Sequence, residues 1–521
     1  MARVALIKLF TGLNLGVAQL SAELRRAGHE TRIVYFKDFL LVPKAEASRY
    51  LVTDHALTLY GARGEETVWN CYTPCSEREY ALLFDVLDEF RPDLIGLSLN
   101  SLTMKVGAEV TARLKARYEA PVLWGGAGPT LEPEWSIGHA DLVCIGEGEE
   151  VIVALADRID RDAPVTDVAG LWSRRADGEV VRNAAGPLVD IERIAIPDLD
   201  PARTVHINDD RIAYGIYPVF PGTQYVIMTQ RGCPFSCSFC VESVYQDIWG
   251  KQGSLRRRSV DVVIEELVAA KRDLPIRQIM FYDDVFTVNP RWLREFAPRY
   301  RREVGLPFWC YTYPTTTRTE DIRLLKDAGM RAITIGIQSG SDRILRDHFN
   351  RPVARAKAYE AARILTECGV PTFFDLITKV HFETVDDLRE TFDFLLDFPK
   401  TMRTIGFAGM VSFPEYGYTK QAEAQGMRLA VSDRDYRFFH KLYLLTRTDV
   451  PRSVVRAAGR SRLLRRFPSL LDPLLPKTLP QLFLDPADGE AETGVLSSTY
   501  AQAVLPGWTP SGREPAARTL N

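Results

Sequence analysis

The chain has 521 residues, 46% hydrophobic and 26% charged, with a formal net charge of −3. This composition excludes a disordered polymer, and the near-neutral balance excludes a nucleic-acid binder driven by bulk charge. No apolar run reaches the ~18 residues of a spanning helix, and the first apolar run, broken at Lys8, is too short for a signal peptide. Two or three domains in a cytoplasmic, thiol-reducing setting are expected.

Residues 1–157 read as the first domain. Residues 4–10 form a buried strand, 11–16 a glycine-bearing turn, and 17–27 a helix with Val17, Leu20 and Leu24 at helical spacing, stopped at Gly28. Strands at 31–36, 94–98, 121–124 and 141–145 alternate with helices at 77–90 and 106–118. Alternation at this pace specifies a doubly wound parallel, Rossmann-like sheet, which binds ligands beyond the carboxyl ends of its strands. Those ends carry Thr11 and Asn14, then Ser98 and Asn100, then Gly125, Gly126 and Thr130, then Gly146, Glu147 and Gly148. Glycines there admit a ligand to the backbone, although such connections use glycine anyway; four such ends together favour a large cofactor. The first turn lacks Gly-x-Gly-x-x-Gly, so a dinucleotide fits poorly. Cys71 and Cys75, in the insertion before residue 77, read as incidental thiols.

Residues 158–222 read as a linker with a small hairpin and a turn-rich connector at Ile196-Pro197-Asp198. After the apolar run 225–228 comes Arg231-Gly232-Cys233-Pro234-Phe235-Ser236-Cys237-Ser238-Phe239-Cys240. Thiolates suit iron–sulfur clusters and zinc. Three close cysteines hold three irons of a cubane and leave the fourth open to a substrate or cofactor, whereas zinc would want a fourth ligand, and no cysteine pair follows closely. Strands at 278–282, 308–312, 332–336, 372–377 and 404–408, with helices between, make six βα units over 223–426. The expected fold is a partial parallel barrel with chemistry at the carboxyl strand ends. Cys310, Tyr311 and His381 are the candidate substrate-side residues, against a bland reading as packing or solvated positions. For Arg256-Arg257-Arg258, surface charge is the favoured reading for at least two. Residues 427–521 read as a helical segment: an aromatic-rich helix at 433–446 that closes the barrel mouth, then a basic amphipathic stretch for which a solvated face is favoured over a membrane surface, then a loose tail.

The cysteine stretch resembles the signature of radical S-adenosylmethionine (SAM) enzymes. The Gly125-Gly126…Pro129-Thr130 and Gly146-Glu147-Gly148-Glu149 pair resembles the cobalamin-binding domain fused upstream of many of them. The resemblance implies that Cys233, Cys237 and Cys240 hold a [4Fe-4S] cluster, that its open iron chelates SAM, and that Phe239 lies against adenine. It implies SAM or cluster-loop roles for Asp283, Arg318, Gly336, Gln338, Ser339 and Gly340, with Gln338 standing where the family usually has Glu. Thr378-Lys379-Val380-His381-Phe382-Glu383-Thr384 departs from the family's Gly-x-Pro-x-Glu-Thr but keeps Glu383-Thr384. Cobalamin is implied at the four strand ends of the first domain, without a protein His ligand, since the first turn has none. The implied activity is cobalamin-dependent C-methylation of an unactivated carbon in a secondary-metabolite or lipid intermediate, with an external electron donor such as flavodoxin or ferredoxin. The alternatives are a radical cyclase or oxidoreductase without methyl transfer, and a non-catalytic cobalamin sensor.

Overall fold

The computed structural model describes residues 1–475 except 12–14, 39, 50, 61–65, 176, 216–223 and 405–406. The expected Asn14 site lies outside the described residues. The chain opens with β1 (Arg3–Thr11), α1 (Leu15–Arg26) and β2 (Glu30–Asp38), then β3 (Leu40–Pro43), β4 (Leu51–Tyr60) and β5 (Glu66–Tyr72) in the insertion. It continues through α2 (Glu77–Phe90), β6 (Leu94–Ser98), α3 (Met104–Lys115), β7 (Val122–Gly125), α4 (Ala127–Leu131), α5 (Pro133–Ile137), β8 (Leu142–Cys144) and α6 (Glu149–Asp160). Ser76 starts α2 through a reciprocal capping box with Glu79, and the Glu79 carboxylate also takes the buried Lys37 ammonium at 2.8 Å.

Period-2 alternation divides the first sheet's core. Ala5, Ile7 and Leu9 face α2 and α3, whereas Val4 and Leu6 face α1 and α6. The stretch expected to be a linker is built into this sheet. A hairpin of β9 (Leu171–Arg174) and β10 (Val180–Arg182) extends one edge, and β11 (Thr204–Asn208) with β12 (Arg211–Tyr214) extends the other. Val205 and Ile207 bury there, and the connector is pinned by Asp198, which accepts from Ser21 on α1 and from Arg203.

The second half contains β13 (Gln224–Ile227), β14 (Gln230–Arg231), α7 (Val241–Trp249), α8 (Lys251–Ser254), β15 (Arg256–Arg257), α9 (Val260–Asp273), β16 (Gln278–Phe281) and α10 (Pro290–Arg299). β17 (Phe308–Thr312), α11 (Thr319–Ala328), β18 (Met330–Gln338), α12 (Arg355–Glu367), β19 (Thr372–Thr378) and α13 (Val385–Asp397) follow, then β20 (Met402–Arg403), β21 (Phe407–Gly409) and α14 (Gly417–Ala424). Strands β13, β16, β17, β18, β19 and β21 lie side by side in chain order and in parallel, the expected partial six-stranded barrel. The sheet does not stop at β21: β4 from the insertion pairs antiparallel with it, Tyr60 opposite Phe407, and β5 and β3 follow. The two halves of the chain thus share a sheet.

α15 (Asp433–Leu445) corrects one expectation. Tyr436, Phe438, Phe439 and Tyr443 are buried in the outer core against α13, so the helix is a wall of the barrel's flank and not a mouth cover. α16 (Arg452–Arg460), followed by α17 (Arg462–Arg466), also turns its apolar side inward: Val455 and Ala458 are buried, and Gly459 lies under the Phe392 ring. Among the described residues no helix is long and apolar enough to cross a membrane.

Candidate functional site

The cysteine loop leaves the carboxyl end of β13, at the barrel mouth. Gly232 holds φ +82°, and a Cβ there would lie 2.3 Å from the Ser254 carbonyl oxygen, so only glycine lets the loop pass α8. Cys233 and Cys237 are buried, Cys240 is half-buried, and all three are free thiols. Gln246 on α7 donates to the Cys233 and Phe235 carbonyls at 2.7 and 3.0 Å. Asn350 donates to Ser236 O at 2.7 Å, and the backbone of Ser238 bonds Phe349 and Tyr418. Nearly every backbone direction of the loop is therefore set before any ligand arrives. Among the described residues no three His, Cys, Asp or Glu side chains gather as one metal ion requires; a cubane asks for less convergence, because each thiolate takes its own iron. Burial pushes the Cys233 thiol up to about 12, and iron, by taking the thiolate, acts in the opposite direction. The loop's residues fit the cluster.

Arg351, passed over in the sequence, stands beside it. Its Nη1 is 3.6 Å from Cys237 Sγ, its Nη2 donates to Gly336 O at 2.5 Å, and its guanidinium lies 3.9 Å over the Tyr313 ring. Tyr313 in turn stacks on Phe235 of the cysteine loop at 3.7 Å. No local pattern marks Arg351, since Asn350-Arg351-Pro352 reads as a turn.

The turn after β16 divides its two acids. Asp283 is fully buried, and its Oδ2 accepts from Thr229 Oγ1 at 3.0 Å, which fastens the start of the cysteine loop. Burial raises it to about 6, against the pull of Arg257. Asp284 is raised to about 6 by burial and by Asp283, yet it keeps open surface, as a group lining a cavity does. The helix α10 is capped by Asn289, not Asp284.

Alternation also separates the two candidates on β17. Trp309 and Tyr311 face the lumen with Val226, Met280, Ala332 and Phe373. Cys310 faces outward into the core between barrel and helices, with Sγ 3.7 Å from Met330 Sδ. Cys310, expected on the substrate side, therefore stands outside the lumen. Tyr311 is 5.9 Å from the Tyr282 ring, and Asp375 stands two residues beyond Phe373 on the same face of β19, raised to about 6 by burial despite Arg351.

Gln338 ends β18 at φ +69°, and its Oε1 is buried without a partner, a spare acceptor at the mouth. The neighbouring residues serve packing. Gly340 lies against Thr391 and Phe394, Gly340 N donates to Thr391 Oγ1, and Ser341 Oγ donates to Asp387 at 2.7 Å. Ser339 Oγ accepts from Ser341 N. Glu383 accepts from Val380 N and Tyr436, and Thr384 caps α13, so this retained pair is a helix start. Lys379 turns to Asp433 at 3.0 Å. His381 bonds the Tyr418 hydroxyl at 2.9 Å, and burial lowers its pKa. Arg318 binds Asp321, on its own helix. Phe239 meets Phe349 edge-on at 4.7 Å.

In the first domain the glycine turns pack on one another. A Cβ on Gly126 (φ +103°) would lie 2.4 Å from Leu99 O, and Thr130 Oγ1 donates to Gly126 O while accepting from Gly146 N, both at 2.9 Å. Asn100 closes its own turn by accepting from Leu102 N. Trp249 of α7 fills the space in front of Gly146. Glu147 receives Arg231 at 3.0 Å and Arg256 at 2.6 Å, and Glu149 receives Arg231 at 2.5 Å. Burial opposes the Glu147 charge, but Arg256 and Arg231 outweigh it and hold its pKa below the usual range. The surface reading of Arg256-Arg257-Arg258 is thereby corrected. Arg256 is in this junction, Arg257 lies 4.1 Å over the Trp292 ring, and Arg258 pairs with buried Glu266 at 2.6 Å. Residues left for a large ligand are on the α1–α6 face, where Ser98 and Gly125 stand opposite each other at the ends of β6 and β7, with only Cys144 Cβ, 3.7 Å away, near Gly125. Thr11 ends β1. Small residues there leave backbone and a hydroxyl for the large cofactor expected at these strand ends.

Residues 227–395 match the Radical SAM superfamily, and residues 69–156 match the B12 binding domain. The chain is 27% identical over 360 residues to an uncharacterized methyltransferase of Pyrococcus horikoshii, covering 67% of this chain and 74% of that protein. It is 27% identical over 327 residues to the anaerobic magnesium-protoporphyrin IX monomethyl ester cyclase of Cereibacter sphaeroides, covering 60% and 50%. Its fold is similar to that of the radical S-adenosylmethionine methyltransferase TsrM from Kitasatospora setae, with TM-score 0.59, 18% identity, and 81% and 76% of the two chains covered.

Proposed function

We propose, for a chain that belongs to the radical SAM superfamily and carries a B12 binding domain, the activity of a cobalamin-dependent C-methyltransferase acting on an unactivated carbon of a small molecule, a secondary-metabolite or lipid intermediate. The observation that carries this reading is the half-buried junction in which Arg231 and Arg256, from the strands flanking the cysteine loop, grip Glu147 and Glu149 at the strand ends of the B12 domain. A protein that only stored electrons would have no use for holding those two sites together. The methyltransferases among the similar proteins support the same reading.

When bound, the cluster with SAM and cobalamin supplies radical generation and methyl transfer. The chain's own residues bind and orient. Cys233, Cys237 and Cys240 hold the cluster, and Arg351 is the cation placed for the SAM carboxylate. Gln338 offers an acceptor for its polar groups, and Phe239 an apolar face for its adenine. Asp283 fixes the loop. Tyr282, Asp284, Tyr311 and Asp375 line the lumen and meet the substrate. A cytoplasmic location and a flavodoxin- or ferredoxin-type electron donor complete the reading. A second reading, radical ring closure or oxidation without methyl transfer, is favoured by the cyclase among the similar proteins.

Mass spectrometry of SAM products from anaerobically reconstituted protein, given cobalamin and a strong reductant, tests both. S-adenosylhomocysteine together with 5′-deoxyadenosine is expected. 5′-Deoxyadenosine alone, from protein loaded with cobalamin, moves the assignment to the second reading. Neither product from cluster-loaded protein overturns the enzyme assignment.

A further inference from the structure

Lys8 is out of keeping with its row. It lies on β1 on the face where Val4 and Leu6 pack against α1 and α6, and it ends that apolar row with a cation. Its register partners are Tyr35 on β2 and Ser98 on β6, and Ser98 is itself opposite Gly125 on β7. Tyr35, Lys8, Ser98 and Gly125 thus form one line across four adjacent strands near their carboxyl ends. The line crosses the point where the chain leaves β1 toward β2 on one side and β6 toward β7 on the other, the place where sheets of this kind take ligands.

Among the described residues nothing accepts a hydrogen bond or ion pair from the Lys8 ammonium. Three other buried cations are paired with carboxylates, Lys37 with Glu79, Arg258 with Glu266 and Lys441 with Asp472, and the buried Arg351 donates to Gly336 O. The Tyr35 hydroxyl, next in the line, is also buried without a partner. Lys8 is half-buried, and desolvation by the protein around it lowers its pKa to about 8. A desolvated ammonium without a counter-charge destabilises the protein that carries it, and a ligand that brings the anion relieves that cost. Cobalamin carries a phosphodiester in its nucleotide tail.

We propose that Lys8 anchors the nucleotide tail of cobalamin, its ammonium meeting the tail phosphodiester in front of the paired carboxyl ends of β1 and β6, beside Ser98 and Gly125. The assignment rests on the cobalamin reading above, and it gives the tail a protein contact separate from any contact to the corrin ring.

Cobinamide, which keeps the corrin ring and lacks the nucleotide, separates the two. Binding of cobalamin and of cobinamide to the full chain is measured by absorbance titration for wild type, Lys8→Met and Lys8→Arg, with thermal melts of the cofactor-free proteins. Expected is a loss of about tenfold or more in cobalamin affinity for Lys8→Met, as for a charge-assisted bond removed, with cobinamide affinity unchanged and Lys8→Arg near wild type. The cofactor-free Lys8→Met protein should melt at the wild-type temperature or above. Equal losses for both corrinoids, no loss for either, or a lowered melt overturns the tail assignment. Wild-type protein that binds neither corrinoid overturns the cobalamin reading and this assignment with it.

Discussion

The turn after β13 and the turns after β7 and β8 have the same outward form, short runs of small residues at the carboxyl ends of parallel strands, but they are held for opposite purposes. In the cysteine turn one glycine, Gly232, makes the path, and neighbours on α7, the Phe349–Asn350 turn and α14 fix the backbone, so that three thiols remain available. In the glycine turns the backbones lie against each other: Gly126 on Leu99, Gly128 on Asn100. Their side chains are spent on the junction, Thr130 inside the domain and Glu147 across it. Where side chains are spared the turn keeps groups free for a ligand; where they are consumed the turn is architecture.

That contrast is open to attack in descending order of effect. Cys240→Ala should abolish 5′-deoxyadenosine formation and the iron–thiolate absorption while leaving the cofactor-free melting temperature within a degree or two of wild type; cleavage from a fully loaded variant would break the contrast at its strongest point. Gly126→Ala removes no chemical group, yet strain at positive φ and the clash with Leu99 should cost about 3–4 kcal/mol in denaturant unfolding; a near-neutral result would show these turns to be looser than described. Glu147→Gln should cost about 2–3 kcal/mol, at or below the bottom of the range for a fully buried pair, because 15% of Glu147 and 24% of Arg231 still meet solvent. Its pKa is lowered in the fold, so its contribution is full above the ordinary glutamate range and is lost as pH falls through the folded value. The acid side of the wild-type stability profile should therefore be steeper than that of Glu147→Gln, and parallel profiles would deny the junction its role. Thr130→Val, which removes only the hydroxyl joining two glycine turns, should cost about 1 kcal/mol; a loss as large as that of Gly126→Ala would place the architecture in the side chain after all.

Both parallel sheets were legible in the sequence, because strand–helix alternation and the 2.0 and 3.6 periods are local properties of the chain. The cysteine spacing was legible for the same reason. What was not legible is non-local. Edge strands β9 to β12 have weak patterns, and only the apolar rows of the finished sheet decide that Val205 and Ile207 join it. Nothing near Arg256 announces a partner at Glu147, and the run of three arginines reads as surface until the opposing carboxylates and rings are in place. Alternation puts Cys310 and Tyr311 on opposite faces but is symmetric as to which is inward; the lumen row of Val226, Met280 and Trp309 settles that. Lys8 was visible only as an interruption of an apolar run, since a missing partner is a property of a neighbourhood and not of a sequence.

The pairing of Tyr60 with Phe407 has a consequence for how the chain is made. During synthesis the hairpin of β4 and β5 leaves the ribosome early, and its neighbour in the sheet follows only on the order of tens of seconds later. In that interval its outer backbone is an unpaired edge, the kind of surface on which nascent chains associate. Fragments that stop short of residue 407 should therefore be more prone to aggregate than fragments that include it, even where every residue of the first sheet is already present.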